Sequence, residues 1–240
     1  MSVGIADRGA AAVPPIDRPE QLTDLVLARL RQDIVEGALD LGERLSEQQL
    51  ATRYRVTRAP VRSACIRLQG QGLVTIVPQR GIFVFDPSAQ EVRALCELRA
   101  ALELEAAALA LARDRDGLLL ALDRVIERMR PYTGDPARIA ELGYQSLDSD
   151  FHLAILQAAA SPMLLEAYRS TVNWRFSALR TRLARQSEHA GNSFREHLEI
   201  RDAVRQGDLP DLQARLRRHI DNTDRYYARL LQARASQSAD

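Results

Sequence analysis

The 240-residue chain has no lysine; each of its 33 basic residues is an arginine. Composition bias alone can produce that, so this absence excludes little. Other scarcities say more. The two cysteines, Cys65 and Cys96, have no C-x-x-C spacing and sit inside helical patterns, which points to buried thiols and away from a disulfide. Aromatic residues make up only 5% of the chain, and alanine, leucine and arginine are abundant, which favours helices packed on helices. No run approaches the ~18 apolar residues that span a bilayer. The N-terminus, where A-A-A-V-P-P follows Gly9, has no hydrophobic stretch long enough for a signal peptide. A cytoplasmic protein with no membrane partner is expected. Hydrophobic content of 46% and charged content of 27% are ordinary for a globular chain, and this length can build one large domain or two small ones.

The most informative absence is local. Residues 48–85 contain no aspartate or glutamate, yet hold six arginines: Arg53, Arg55, Arg58, Arg62, Arg67 and Arg80. The whole chain has a formal charge of +1, so with +6 in this segment the remainder is −5. Positive charge gathered in one stretch suits a polyanion, nucleic acid first. A solvated surface that merely lacks acids is the alternative.

Residues 1–18 are small or polar with two consecutive prolines and read as a flexible arm. Thr23 has the character of an N-cap, Leu27, Leu30, Ile34 and Val35 follow at helical spacing, and Gly37 closes this first helix. Ser46 starts a second helix, with Glu47 at its positive end. Thr57 caps a third, in which Pro60 falls in the first turn and Val61, Ala64, Cys65 and Leu68 form the inward stripe; Gly70 and Gly72 end it. Two short β-branched and aromatic runs then flank Pro78, Gln79, Arg80 and Gly81, a hairpin signal with a basic tip.

Three helices and a hairpin over residues 19–86 make the plan of a winged helix-turn-helix. Arg58 and Arg62 share one face of the third helix and can enter the major groove, where arginine suits the O6 and N7 of guanine. Thr57 and the helix N-terminus can hold a phosphate, and Arg80 and Gly81 can lie against the neighbouring groove. For Arg53, Arg55 and Arg67, solvated helix surface is as good a reading as a DNA contact.

From about 89 to 235 only helical patterns occur, broken near 115–117, 131–136, 161–162, 188–192 and 207–210, which predicts six helices in an antiparallel all-helical bundle. The fold class expected is therefore mostly α. Asp148 and His152 stand four residues apart and share a helix face. His197 lies ten residues before Gly207 and His219 nine after Pro210, so in an antiparallel hairpin both rings sit about 15 Å from the turn. Three imidazoles and a carboxylate make a ligand set for a divalent metal ion, zinc first, with nickel or manganese as alternatives. A satisfied core histidine is the competing reading for each ring taken alone. His189 falls in the 188–192 break and outside the pattern.

The run L-S-E-Q-Q-L-A-T-R-Y-R-V-T-R-A-P-V-R followed by R-G-I-F-V resembles the DNA-binding domain of GntR-family transcription regulators over about residues 20–85. The resemblance makes Arg58 and Arg62 the recognition-helix arginines and Gly81 the wing glycine. Gln48 departs from it, standing where many members have a DNA-contacting arginine, and Leu41 stands where a proline is common. The segments E-L-R-A-A-L-E-L-E, D-S-D-F-H, E-H-L-E-I-R-D-A-V-R-Q-G-D and R-H-I resemble the FCD effector domain of the FadR branch, in its shorter VanR-like form with six helices, over about residues 89–235. That likeness implies metal ligation by Asp148, His152, His197 and His219, and a small carboxylate effector paired with Arg99. A salt bridge from Arg99 to Glu103 is the alternative for that arginine, and Asn222 is a further pocket candidate. The function implied is a ligand-responsive regulator, more often a repressor, that binds a palindromic operator in double-stranded DNA as a homodimer. Two alternatives remain: an all-helical metal-dependent hydrolase, although no H-E-x-x-H signature occurs, and a regulator whose metal is purely structural.

Overall fold

The structure is a computed structural model that describes residues 20–133, 142–183 and 187–237. The arm expected at 1–18 lies outside the described residues, as does part of the 131–136 break. Helix α1 (Glu20–Glu36) opens the fold, and strand β1 (Arg44–Leu45) and helices α2 (Glu47–Tyr54) and α3 (Arg58–Gly70) follow. Strands β2 (Val74–Val77) and β3 (Gly81–Val84) complete the wing. The sheet is antiparallel in the order β1-β3-β2, with Val74 opposite Val84 and Leu45 opposite Ile82. Thr23 does not cap α1; the helix begins at Glu20, because Glu20, Gln21 and Leu22 are themselves good helix formers. Ser46 does cap α2, exchanging hydrogen bonds with Gln49 in a capping box. Thr57 occupies the N-cap of α3 with extended backbone but makes no side-chain cap bond.

The core of this half is Val26, Leu30, Ile34, Leu50, Val61, Ala64, Cys65, Leu68 and Ile82, all buried, so the inward stripe of α3 is as the spacing indicates. Arg53 donates to the buried Asp33 of α1 at 3.0 Å, and Tyr54 donates to the same carboxylate at 3.1 Å. Arg67 is ion-paired with Asp24. Both arginines thus tie α2 and α3 to α1.

The second half is helical. Helix α4 (Ala89–Met129) is followed by a 3₁₀ turn (Arg130–Tyr132), then α5 (Leu142–Ala158) and α6 (Pro162–Tyr168). A π-helical stretch (Arg169–Asn173) leads directly into α7 (Trp174–Leu183), and α8 (Ser187–Gln206) and α9 (Leu209–Gln237) end the fold. Helix α4 is the hub, packing against α5, α8 and α9. It kinks at Asp114, whose backbone leaves the helical region (φ −156°, ψ 71°) and whose Oδ1 accepts from the Gly117 amide at 2.9 Å. Asp114 is in effect an N-cap for the second half of α4, and this realises the break expected near 115–117.

The break expected at 188–192 is not there, since α8 runs unbroken from Ser187, and His189 lies in that helix and not in a loop. An exposed glycine such as Gly191 disfavours a helix by only about 1 kcal/mol. The buried face of Ser193, His197, Ile200 and Val204 outweighs it.

Candidate metal centre and DNA-contact surface

Helices α5, α8 and α9 bring His152, His197 and His219 to one point in the bundle. All three are 2% exposed or less, and one ring nitrogen from each lies within 4.8 Å of the others. The rings of His197 and His219 are 4.8 Å apart between centroids, so the two helices do place them at one level.

Two of the rings are oriented from behind. His152 Nδ1 donates to Glu103 Oε2 at 2.8 Å, and His219 Nδ1 donates to Glu196 Oε2 at 2.7 Å. Each carboxylate fixes the proton on Nδ1 and leaves Nε2 unprotonated, and the two Nε2 atoms face one another at 3.2 Å. Neither ring nitrogen of His197 has a hydrogen-bond partner, although both are fully buried; its ring stacks on Phe151 at 4.2 Å. A buried, unpartnered imidazole beside two inward lone pairs is what a divalent cation would satisfy. Burial, followed by the charge of Arg99, lowers His152 to about 4, and burial pushes His197 well below the ordinary histidine value. Neutral imidazole, the form that ligates, therefore prevails at neutral pH.

Asp148 lies one step out from this cluster. Its Oδ1 is 3.5 Å from His197 Nε2 and accepts from the Ser193 hydroxyl at 3.3 Å, while Oδ2 pairs with Arg180 Nη1 at 3.0 Å. Burial would raise its carboxyl, but Arg180 and the histidines hold it well below the usual carboxylate range. Among the described residues, the donors close enough to share one ion are the three histidines, with Asp148 adjoining through His197.

Arg99 makes the salt bridge to Glu103 that was the alternative reading of its role. Its Nε donates to Glu103 Oε1 at 2.7 Å, and its Nη2 lies 2.6 Å from His152 Nε2, inside the cluster. The guanidinium also stacks over Phe176, 4.6 Å from the ring centroid. Asn222 donates to Glu196 Oε1 at 2.5 Å, the carboxylate that also holds His219, and its side chain lines a groove with Arg93, Arg195, Arg215 and Arg218.

The polar shell of Glu103, Glu196, Tyr168, Ser193 and Arg180 escaped the reading of the sequence as part of the site. Glu103 had a signal, standing four residues after Arg99 on the same face. Glu196 directly precedes His197 yet serves His219 on the next helix, a pairing no local spacing announces.

On the other half, Arg58 and Arg62 project from the first turns of α3 with 61% and 62% of their side chains exposed. Glu47 gathers them: its carboxylate accepts from Arg62 Nε at 2.7 Å and Nη2 at 2.9 Å, and from Arg58 Nη2 at 3.4 Å. Those hydrogen bonds, the Arg62 bond foremost, lower the Glu47 carboxyl. Thr57 is exposed beside them, and Arg80 is exposed at the wing tip. Gly81 has φ +116°, and a Cβ there would stand 2.9 Å from the Leu45 carbonyl oxygen, so the sheet itself requires this glycine.

Comparison with known proteins agrees with this division. The family described as bacterial regulatory proteins, gntR family, matches residues 22–84, and the FCD domain matches residues 94–222. The chain is 30% identical over 217 residues to the HTH-type transcriptional regulator BphR of Paraburkholderia xenovorans (strain LB400), covering 89% of this chain and 88% of that one. It is 28% identical over 194 residues to the HTH-type transcriptional repressor RspR of Escherichia coli (strain K12), covering 80% and 82%. A crystal structure of a GntR transcriptional regulator from Rhodococcus sp. RHA1 superposes with a TM-score of 0.74 at 24% identity, over 86% of this chain and 97% of that one.

Proposed function

Because this chain belongs to the GntR family of DNA-binding transcriptional regulators and carries an FCD domain, we propose that it is a metal-containing sensor of a small carboxylate that acts as a repressor from a homodimer on a palindromic operator. The observation that carries the sensing half is the buried His197, unpartnered on both nitrogens, beside the inward Nε2 atoms of His152 and His219. These rings would hold zinc or another divalent ion, with Asp148 as the adjoining carboxylate; bound there, the ion supplies a Lewis-acid centre for an effector oxygen. The ion and Arg99 contend for one lone pair, that of His152 Nε2. With an ion held by the histidines, Arg99 Nη2 would be available to a carboxylate of the effector, for which the planar guanidinium is suited.

The repressing sense follows the printed name of RspR, and a two-fold dimer suits two recognition helices spaced by about one DNA turn, ~34 Å. The family and its relatives are regulators, which removes the support for a hydrolase. Among the described residues no helix is long and apolar enough to cross a membrane.

Elemental analysis of protein purified without chelator, followed by thermal shift against small carboxylates and sugar acids with and without zinc, tests the reading. Stoichiometric metal and a metal-dependent shift with at least one acid are expected. In Arg99→Lys, which keeps a charge beside Glu103 but loses the planar fork, the acid shift should fade while metal remains. Absence of metal, both as purified and after titration, would overturn the metal assignment. A full acid response in the lysine variant would remove Arg99 from the effector site.

A further inference from the structure

Helix α7 touches both halves of the molecule with opposite faces. Trp174, Arg175, Ala178, Thr181 and Arg182 fall on one side of it, and Phe176, Leu179 and Arg180 on the other. On the first side, Ala178 is part of the buried core of the winged helix domain, and Trp174 packs against that core with the Arg31 guanidinium 4.5 Å over its ring. Arg182 donates to the Leu39 carbonyl just beyond α1. Arg175 Nε donates to the Gln71 carbonyl at 3.1 Å.

Gln71 is the C-cap of α3, the helix that presents Arg58 and Arg62. The guanidinium of Arg175 occupies the place where a side chain on Gly72 would begin: a Cβ there would lie 1.7 Å from Nη2. Arg31 reaches the same spot from α1, its Nε and Nη2 donating to the Gln71 side chain at 3.3 and 3.2 Å. The base of the recognition helix is therefore gripped by a residue of the other domain.

On the opposite face, Arg180 is buried against α5. Its Nη1 reaches Asp148 Oδ2 at 3.0 Å, the Ser149 hydroxyl at 2.6 Å and the Gln145 carbonyl at 3.2 Å. Phe176 stacks under Arg99. Arg175 and Arg180 are five residues apart, about 7.5 Å along one rigid helix. The π-helical stretch Arg169–Asn173, immediately upstream, marks where the helix departs from regular pitch.

We propose that α7 transmits the state of the histidine site to the recognition helix, with Arg180 as its contact at Asp148 and Arg175 as its contact at the end of α3. Both are positioning residues; neither touches DNA or the ion. The proposal rests on the sensing role above. It adds that DNA affinity is set through the base of α3, and not only by the spacing of two domains in a dimer. A second polar contact between the halves, Arg234 of α9 with Asp86 and the Leu41 carbonyl, meets the linker and not α3, so it serves as a control.

Hydrogen exchange and fluorescence on the full-length protein test this. Trp174 is the one tryptophan of the chain, so its emission reports on the junction alone. In metal-free protein, Arg175→Ala should speed exchange of the Gln71, Gly72 and Leu73 amides by about tenfold, the loss of one charge-assisted hydrogen bond. Arg180→Gln should speed the same amides, although it lies in the other domain, whereas Arg234→Ala should not. Zinc alone, bound stoichiometrically, should change Trp174 emission and slow these amides in the parent. In Arg180→Gln, neither response should appear even at zinc concentrations that saturate the histidines, whatever the change in zinc affinity.

Two results would overturn the proposal: zinc binding in the parent without any change at Trp174 or at residues 71–73, or parental exchange at 71–73 in Arg180→Gln. If the parent binds no zinc, the metal assignment fails by itself. The metal-free comparison of Arg180→Gln with Arg234→Ala then decides the coupling.

Discussion

Glu103 accepts from three buried donors: Arg99 Nε at 2.7 Å, His152 Nδ1 at 2.8 Å and the Tyr168 hydroxyl at 3.0 Å. Its side chain is 0% exposed and that of Arg99 is 2% exposed. Burial alone would raise the Glu103 carboxyl, but Arg99 and His152 outweigh it and hold it well below the usual carboxylate range. Glu103→Leu fills a similar space and removes only the acceptor, leaving a guanidinium charge buried without its partner. Breaking such a pair costs about 3–5 kcal/mol, a third or more of the stability of a marginal domain. Replacing both partners, as in Arg99→Leu with Glu103→Leu, removes the stranded charge. The double variant should then recover part of the loss, with roughly 1–3 kcal/mol remaining for the unsatisfied His152 and Tyr168 donors. Urea unfolding followed by circular dichroism of Glu103→Leu, Arg99→Leu and the double variant closes the cycle. A single variant within about 1 kcal/mol of the parent, or a double variant less stable than Glu103→Leu, would refute the argument that Arg99 is held by this carboxylate.

Three further outcomes follow from the geometry. Arg62→Ala should weaken binding to the operator, mapped first by footprinting, by roughly tenfold to a hundredfold, and unchanged affinity would remove Arg62 from base readout. Gly81→Ala should destabilise the wing by about 1–3 kcal/mol, since φ is +116° and the new Cβ would meet the Leu45 oxygen; an unshifted unfolding midpoint would contradict that contact. In metal-free protein, the unfolded chain takes up a proton on His152 near pH 6.5, whereas the folded ring resists until about 4. Stability should therefore be full above pH 6.5 and fall as the pH is lowered through that window, and His152→Gln should flatten the fall.

What could be read from the sequence was local. Ser46 with Gln49, the stripe of Val61, Ala64, Cys65 and Leu68, and Gly37 each declare themselves within a few residues, and the structure keeps all of them. The level of His197 and His219 was also accessible, because a helical hairpin with one short turn converts residue counts into heights. Strand β1 was not, since two residues carry no period. Nor were the roles of Arg53 and Arg67, whose partners Asp33 and Asp24 lie on α1, distant in sequence. Thr23 and the 188–192 stretch show the reverse error: a cap residue and a glycine are weak local votes, overruled by good helix formers in one case and by a buried face in the other. That Asn222 and His219 share the Glu196 carboxylate depends on the packing of α8 against α9, which no local spacing announces.

The kink at Asp114 has a consequence for the shape of the molecule. A straight helix of 41 residues would run about 60 Å, longer than a globular domain of some 150 residues, which is about 40 Å across. One aspartate, capping Gly117, bends that rod into two arms that fit within a single bundle. Straightened, the second arm would carry Leu118, Leu122, Ile126 and Met129 away from the core they now fill. The cover best matched to that apolar face would then be the equivalent core of another molecule, reached by exchanging arms. Asp114 thus keeps this part of the chain folded on its own bundle.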